Sequence, residues 1–177
     1  MRTVIFDTET TGLIVNPARS LALQPEIISL AAQEFELDGG EKFESYYKIF
    51  KPTKPVSEEI TRITGFTNDQ LADKPSIEAH LDEMILILEK AQMLIGQNIT
   101  FDKGMFDLEC RRYHKKIRWP MCLDLVENTI HLKGYRLSLT NLHLELFGTT
   151  FESAHQANVD VDATYRCAVE LFKRGML

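Results

Sequence analysis

Apolar and polar positions along the first fifty residues predict three β-strands. Residues 4–6 form a continuous apolar run that ends in Asp7, a pattern typical of a central strand buried on both faces. A second run, residues 26–37, ends in the turn sequence Asp38-Gly39-Gly40, and residues 43–50 return as a third strand. Three early strands in succession indicate an antiparallel start to the sheet.

The rest of the chain alternates predicted helices with short strands. Ser57 has the features of a helix N-cap with acidic residues after it, and a longer helix is predicted over residues 75–91. Further helices are predicted near residues 101–114, 124–131, 138–146 and 157–173, with short strands at 93–95 and 121–123. This order predicts a layered fold of the α/β or α+β class, and we favour α/β. We expect a single domain over residues 1–177, since that length suits one well-buried core.

Composition narrows the class of protein. The best apolar run, residues 84–88, is far shorter than the roughly 20 residues that a bilayer span needs. The N-terminus reaches Asp7 too soon to contain a secretory signal. We therefore expect a cytoplasmic protein with no membrane segment. Cys110, Cys122 and Cys167 show no paired metal-type spacing, so we expect free and mostly buried thiols.

The formal net charge of −6 argues against broad electrostatic capture of a polyanion, because non-specific nucleic-acid binding normally depends on a basic surface. That objection weakens if several carboxylates bind metal ions. Two divalent cations would reduce the charge from −6 to −2 and would make the site itself attract phosphate.

Two acidic motifs stand at the ends of predicted buried strands. Asp7 and Glu9 lie two residues apart, so alternation along a strand places both carboxylates on one side. Such a pair is either exposed to solvent without a function or forms part of a metal-binding site. Asp102 follows the strand at 93–95 and lies in the first turn of the next helix. An acid there also has a structural explanation, because the helix dipole favours it.

The third motif joins a histidine to an acid near the last helix. His155 lies in a polar stretch, and Asp160 lies in the opening turns of that helix, so the imidazole can reach a site that the acid lines. Asp162 points roughly 200° away from Asp160, and both cannot face one site. The other four histidines lie at charged or amphipathic helix positions, and we interpret them as surface or boundary residues: His80, His114, His131 and His143.

Taken together and in this order, the motifs resemble those of the DEDDh exonuclease family, typified by the proofreading (epsilon) subunit of bacterial DNA polymerase III. Residues 7–13, 98–102 and 155–160 resemble its three motifs, and residues 63–67 resemble the segment before its helical middle. A related branch would have Tyr at the position of Gln156, so the histidine branch is the one supported. The resemblance implies an RNase H-like fold, with a mixed five-stranded sheet flanked by helices.

The resemblance also implies a two-metal 3′-to-5′ exonuclease. Asp7 would bridge two Mg²⁺ or Mn²⁺ ions, Glu9 and Asp160 would complete the first site, and Asp102 would support the second. His155 would act as general base on the attacking water. The partner would be a nucleic acid with a free 3′ end, single-stranded or frayed, and the product a nucleoside 5′-monophosphate.

Substrate contacts are implied at six further positions. The backbone of Thr10, Thr11 and Gly12 would hold the terminal 3′-hydroxyl and phosphate. Leu13 would stack on the terminal base, and Phe66 offers a second stacking surface. The alternative is that Leu13 and Phe66 are core side chains. Asn98, which opens the second motif, is the sixth candidate.

Several alternatives remain open from the sequence. The loop at residues 13–25 is longer than in many family members, and no Gln-x-x-Leu-Phe clamp-binding tail is evident. A DNA polymerase subunit is therefore one alternative beside a free-standing DNA exonuclease, and an exoribonuclease that trims RNA is the rival within the family. A non-catalytic nucleic-acid-binding module would be expected to lose metal ligands. An endonuclease or strand-transfer enzyme has no need for the spacing from His155 to Asp160.

Overall fold

The computed structural model describes residues 1–16, 20–151 and 156–177. Within these ranges, five strands form one mixed sheet in the order β3-β2-β1-β4-β5. β2 (Ile27–Glu36) is antiparallel to both β1 (Arg2–Thr10) and β3 (Lys42–Ile49), whereas β4 (Met93–Gly96) and β5 (Met121–Asp124) run parallel to β1. The predicted fold class, the central place of the first strand and the antiparallel start are confirmed.

Helices cover both faces of this sheet. Their bounds are α1 Glu58–Thr64, α2 Asn68–Ala72, α3 Leu81–Lys90, α4 Ile99–Arg112, α5 Leu125–Asn128, α6 Leu139–Phe147 and α7 Ala157–Lys173. Short 3-10 turns lie at Leu21–Leu23, Ile77–His80 and Ile130–Leu132.

β1 is apolar throughout its first half because it is covered on both sides. Val4 and Phe6 belong to one buried cluster with residues of α3 and α4, whereas Ile5 belongs to the other with residues of α6 and α7. Alternate side chains of one strand thus enter two cores. The two layers of helices also bring α4 and α7, which carry the later acidic motifs, against the same strand.

Three predictions for secondary structure need correction. The helix predicted over residues 75–91 is a 3-10 turn followed by α3, and the one predicted over 124–131 stops at Asn128. There the Thr129 hydroxyl donates to the Leu125 carbonyl (2.6 Å) as the helix tightens into a 3-10 turn. Helix α2 was missed, although a Thr67–Gln70 capping box begins it. A five-residue helix is too short to show a helical period.

His143 also differs from its predicted surface or boundary role. Its ring is buried against Phe147 and Phe151, and Nδ1 is 2.7 Å from the Thr149 carbonyl oxygen. Burial follows from the packing of α6 on α7, which its own sequence does not reveal. The three cysteines are free, as expected, and Cys110 and Cys167 are buried. Among the helices described, none is long and apolar enough to cross a membrane.

Candidate active site

Three carboxylates meet at the C-terminal end of β1. One oxygen from each of Asp7, Glu9 and Asp160 lies within 4.8 Å of the others. Asp7 and Glu9 project to the same side because strand side chains alternate. Asp160 joins them because it lies in the first turn of α7, and α7 packs on β1 and β2. The structure thus brings together three of the predicted metal ligands, Asp7, Glu9 and Asp160, and their role in binding metal stays a prediction.

Asp102 approaches the same strand from its other side. It lies in the first turn of α4, as predicted, and is buried. Its Oδ1 accepts hydrogen bonds from the Thr8 backbone amide (2.9 Å) and the Thr8 hydroxyl (2.7 Å). Thr8, which lies between Asp7 and Glu9, therefore positions the carboxylate of Asp102.

Burial raises the pKa values of Asp7, Glu9 and Asp102, and the neighbouring acids add to the shifts of Asp7 and Glu9. Burial, followed by the charges of Asp102, Asp160 and Glu9, holds the pKa of Asp7 well above its usual range. Burial and the charges of Asp160 and Asp102 raise the pKa of Glu9 to about 8. Burial raises the pKa of Asp102 to about 7, although the hydrogen bonds from Thr8 oppose the shift. Without a cation this arrangement is repulsive, so its chemistry fits divalent metal ions, which prefer carboxylate oxygens.

A cavity of about 610 Å³ opens beside these carboxylates. Residues from four elements and the loop after β1 line it: Asp7, Thr8, Glu9, Thr10, Gly12, Leu13, Glu59, Ile60, Ile63, Thr64, Phe101 and Asp160. Leu13 is 80% exposed and Ile63 is 47% exposed. Acidic groups thus form one part of the cavity and exposed apolar side chains another.

The structure places only some of the predicted substrate-binding residues here. Thr10, Gly12 and Leu13 line the cavity. The neighbouring Thr11 instead ties the loop to β2: its amide donates to the Glu26 carbonyl (2.9 Å), and its hydroxyl accepts from the Glu26 amide (2.9 Å).

Phe66 and Asn98 are absent from the cavity lining. Phe66 packs against the small cluster of Ile28, Val56 and Leu71, which agrees with the core role that the sequence left open as the alternative to stacking. Asn98 precedes α4 in a left-handed conformation (φ 65°), and its amide donates to Asp124 Oδ1 (2.9 Å). This hydrogen bond lies directly before α4, the helix that carries Asp102.

Sequence reasoning missed the contribution of α1 to the cavity. Ile60, Ile63 and Thr64 line it together. Their i, i+3, i+4 spacing on a short helix is the signal that could have found them. The exposure of Ile63 sets it apart from a core residue.

The two remaining predictions concern the third motif. Asp162 faces away from the carboxylates and is half-exposed, with its oxygens 2.6 Å from Lys42 Nζ and 3.2 Å from Arg166 Nε. The geometry therefore agrees with the choice of Asp160 over Asp162 as the predicted metal ligand. His155 lies outside the described residues, and its role as general base stays a prediction.

Comparison with known proteins identifies the family. The family model described as Exonuclease (RNase_T) matches residues 4–168. The chain belongs to this exonuclease family. One curated relative is the PolC-type DNA polymerase III of Streptococcus pneumoniae serotype 2. It is 30% identical to this chain over 165 residues, which cover 92% of this chain and 10% of the polymerase. The PolC-type enzyme of Thermotoga maritima is 34% identical over 138 residues, 76% of this chain and 9% of its own. The chain thus spans about a tenth of these relatives.

Solved structures of similar fold agree with this family. An E. coli ExoI–ssDNA complex matches with a TM-score of 0.81 and 19% identity, over 98% of this chain and 41% of the other. The nuclease domain of 3′hExo, a DEDDh family member bound to rAMP, matches with a TM-score of 0.78 and 16% identity, over 99% and 93%. The expected exonuclease fold is confirmed.

Proposed function

We propose that this chain is a metal-dependent 3′-to-5′ exonuclease that hydrolyses DNA and releases nucleoside 5′-monophosphates. The observation that carries the proposal is the meeting of Asp7, Glu9 and Asp160 within 4.8 Å beside a cavity of about 610 Å³. A cavity of that size falls in the range of small-ligand sites. Acids at one part and exposed apolar side chains at another suit a nucleotide, which joins a phosphate to a base.

The carboxylates fit two Mg²⁺ or Mn²⁺ ions. Asp7, Glu9 and Asp160 would hold one ion, and Asp7 with Asp102 the other. When bound, such ions neutralise charge and polarise the phosphodiester. The raised pKa values of Glu9 and Asp102 support this assignment, because buried carboxylates are costly to ionise unless a cation compensates their charge.

The remaining groups would position the strand end. Leu13 and Ile63, both exposed in the cavity, would flank the terminal base through apolar contact. The backbone near Thr10 and Gly12 would receive the terminal 3′-hydroxyl. His155 would take the proton from the attacking water, a role suited to a group that titrates near neutral pH.

DNA is the favoured substrate because the curated relatives are DNA polymerases of the PolC type and one similar structure is a complex with ssDNA. Association with a polymerase, and thus a proofreading role, is part of the proposal. RNA is the second candidate, since a similar fold occurs in a 3′-exonuclease described as recognising a histone mRNA stem-loop (TM-score 0.79, 17% identity).

The decisive experiment compares three 5′-labelled substrates in one assay: single-stranded DNA, single-stranded RNA and a duplex with a mispaired 3′ primer end. We expect stepwise shortening of DNA with Mg²⁺ or Mn²⁺ and none with EDTA, with faster removal of the mispaired end. An internal cut as first product contradicts an exonuclease. Faster shortening of RNA than of DNA contradicts the DNA assignment, and an inactive wild-type protein supports a non-catalytic binding module.

A further inference from the structure

A second, smaller cavity lies close to the carboxylates and has no part in the function proposed above. Its volume is about 220 Å³, and it lies between the outer strands β2 and β3 and the first turns of α7. Tyr47 and Asn158 line it from the strand and from the helix. The inference below rests on the proposed exonuclease function and extends it to the substrate.

The strand register ties this cavity to the active site. Asp7 pairs with Ala31 on β2, and Ala31 pairs with Tyr47 on β3. Directly opposed residues point to the same face of a sheet, so Tyr47 lies on the face that carries the Asp7 carboxylate. With adjacent strands about 4.8 Å apart, the two backbones are roughly 10 Å from each other. Because the side chain of Ala31 is small, the ring of Tyr47 can extend over it toward the carboxylates of Asp7 and Glu9.

The environment of Tyr47 agrees with that register. Its side chain is 40% exposed, so a ligand can reach it from solvent. Burial, followed by the charge of Glu9, raises the pKa of its phenol. A tyrosine hydroxyl is protonated at neutral pH and can donate a hydrogen bond, here near the carboxylate cluster.

Among the residues that the structure describes, the helix side of the cavity contributes no uncompensated charge. Asn158 and Asp162 are four residues apart on α7 and share one side of it, whereas Asp160 lies on another side, facing the larger cavity. The carboxylate of Asp162 is offset by Lys42 (2.6 Å) and Arg166 (3.2 Å). Of the described residues that line this cavity, Tyr47 and Asn158 would offer a phosphate neutral donors, and the one acid, Asp162, is paired.

These observations point to the path of the strand behind its 3′ end. If the terminal nucleotide fills the larger cavity, the next nucleotide must leave the carboxylates by another route. The smaller cavity lies beside the same first turns of α7. We propose that Tyr47 and Asn158 bind the nucleotide immediately upstream of the scissile bond, the hydroxyl and the amide donating to its phosphate and the ring packing on its sugar or base.

The proposal predicts a preference for strands over single-nucleotide esters. The p-nitrophenyl ester of thymidine 5′-monophosphate fills the terminal site but has only a nitrophenyl leaving group upstream of the scissile bond, whereas a short oligothymidylate has the sugar, base and phosphate of a further nucleotide there. Tyr47→Ala should lower kcat/KM for the oligothymidylate about tenfold more than for the ester, through KM, as expected for one lost base or phosphate contact. Tyr47→Phe keeps the ring and should show a smaller loss.

Phe43→Ala is the matched control. Phe43 lies on β3 with Tyr47, is 47% exposed and belongs to a different cavity. The Phe43→Ala substitution should leave the ratio of kcat/KM for the oligothymidylate to kcat/KM for the ester unchanged. Asn158→Ala, at an exposed helix position, tests the site independently should Tyr47→Ala lower the thermal midpoint. An equal loss on both substrates for the Tyr47 and Asn158 variants, or no loss on either, overturns the proposal.

Binding separates this inference from the proposed function. With Ca²⁺ in place of Mg²⁺, fluorescence anisotropy of a 5′-labelled oligothymidylate reports affinity without requiring turnover. Tyr47→Ala should weaken that affinity about tenfold. A wild-type protein that binds the strand but hydrolyses neither substrate overturns the exonuclease activity alone, whereas unchanged affinity in Tyr47→Ala overturns the upstream site alone.

Discussion

The hydroxyl and the backbone amide of Thr8 donate hydrogen bonds to the same oxygen of Asp102, at 2.7 and 2.9 Å. Two donors on one carboxylate oxygen favour its charged form, and they oppose the effect of burial, which raises the pKa of Asp102 to about 7. Because Thr8 stands between Asp7 and Glu9, one strand supplies two acids and also positions a third.

Thr8→Val tests this relationship. The substitution keeps the shape of the side chain and removes the hydroxyl donor, so the pKa of Asp102 should rise further. Activity at pH 7 should fall roughly tenfold, the scale of a hydrogen bond to a charged group, and the acidic limb of the pH–rate profile should move to higher pH. Thr3→Val is the control, since Thr3 is buried in the same strand but donates to the Met1 carbonyl (3.0 Å). An unmoved profile would show that Thr8 does not tune Asp102.

Asp160 and Asp162 form a matched pair of acids in one helix. Asp160→Asn removes a carboxylate from the cluster and should lower kcat by at least about a hundredfold, with weaker Mn²⁺ binding in calorimetry. Asp162→Asn removes two half-exposed ion pairs, each worth about 1 kcal/mol or less, and should keep at least a third of the activity. Comparable losses in the two variants would contradict the placement of Asp160.

Metal-free stability should fall as pH rises. The pKa of Glu9 is raised to about 8 and that of Asp102 to about 7, so between about pH 4 and pH 8 the folded protein binds more protons than the unfolded chain. The free energy of unfolding in EDTA should therefore decrease across that range. Mg²⁺ should restore it at pH 8 and have little effect at pH 5.

Urea unfolding at both pH values, with and without Mg²⁺, measures this effect. Glu9→Gln removes one of the titrating groups and should flatten the dependence in EDTA. Stability that rises from pH 5 to pH 8 without metal would refute the repulsion between the carboxylates.

A buried ion pair joins α4 to the segment before β2. Arg112 Nη1 lies 2.7 Å from the buried Glu109 carboxylate, which also accepts from the Ile27 amide (2.9 Å). Burial raises the pKa of Glu109, and the charge of Arg112 opposes that shift. Arg112 Nη2 also donates to three carbonyls, those of Leu21 (3.3 Å), Gln24 (3.1 Å) and Pro25 (2.6 Å).

Arg112→Met should destabilise the fold by about 3–5 kcal/mol, because it leaves a buried carboxylate without its cation. Adding Glu109→Gln should recover part of that loss. Arg111→Met, at the exposed neighbouring position, is the control and should change stability little. Urea denaturation gives the free energies, and a loss below about 1 kcal/mol for Arg112→Met would show that the pair is dispensable.

His155→Ala tests the predicted general base. Activity should fall by roughly 10² to 10⁴ while Mn²⁺ affinity stays near that of the wild type, because the base handles a proton and leaves the metal ligands intact. Calorimetric titration with Mn²⁺, beside the rate on a 5′-labelled strand, separates the two effects. Near-normal activity would assign the base to another group.

Several features of the active site were determined by the sequence itself. Alternation along β1 was enough to place Asp7 and Glu9 on one side, and helical geometry was enough to separate Asp160 from Asp162. Both inferences concern residues within one element, whose relative directions depend on local backbone geometry. The order of the motifs also indicated the exonuclease family, and the match to the family model confirmed it.

Only the tertiary structure decided which elements meet. Phe66 and Ile63 are three residues apart and both apolar, yet Ile63 faces the cavity and Phe66 packs on Ile28, Val56 and Leu71. Tyr47 lies in register with Asp7 only because β1, β2 and β3 pair with one another. Local periodicity sets the direction of a side chain relative to its own element, whereas the rotation and placement of that element depend on packing against residues far away in the chain.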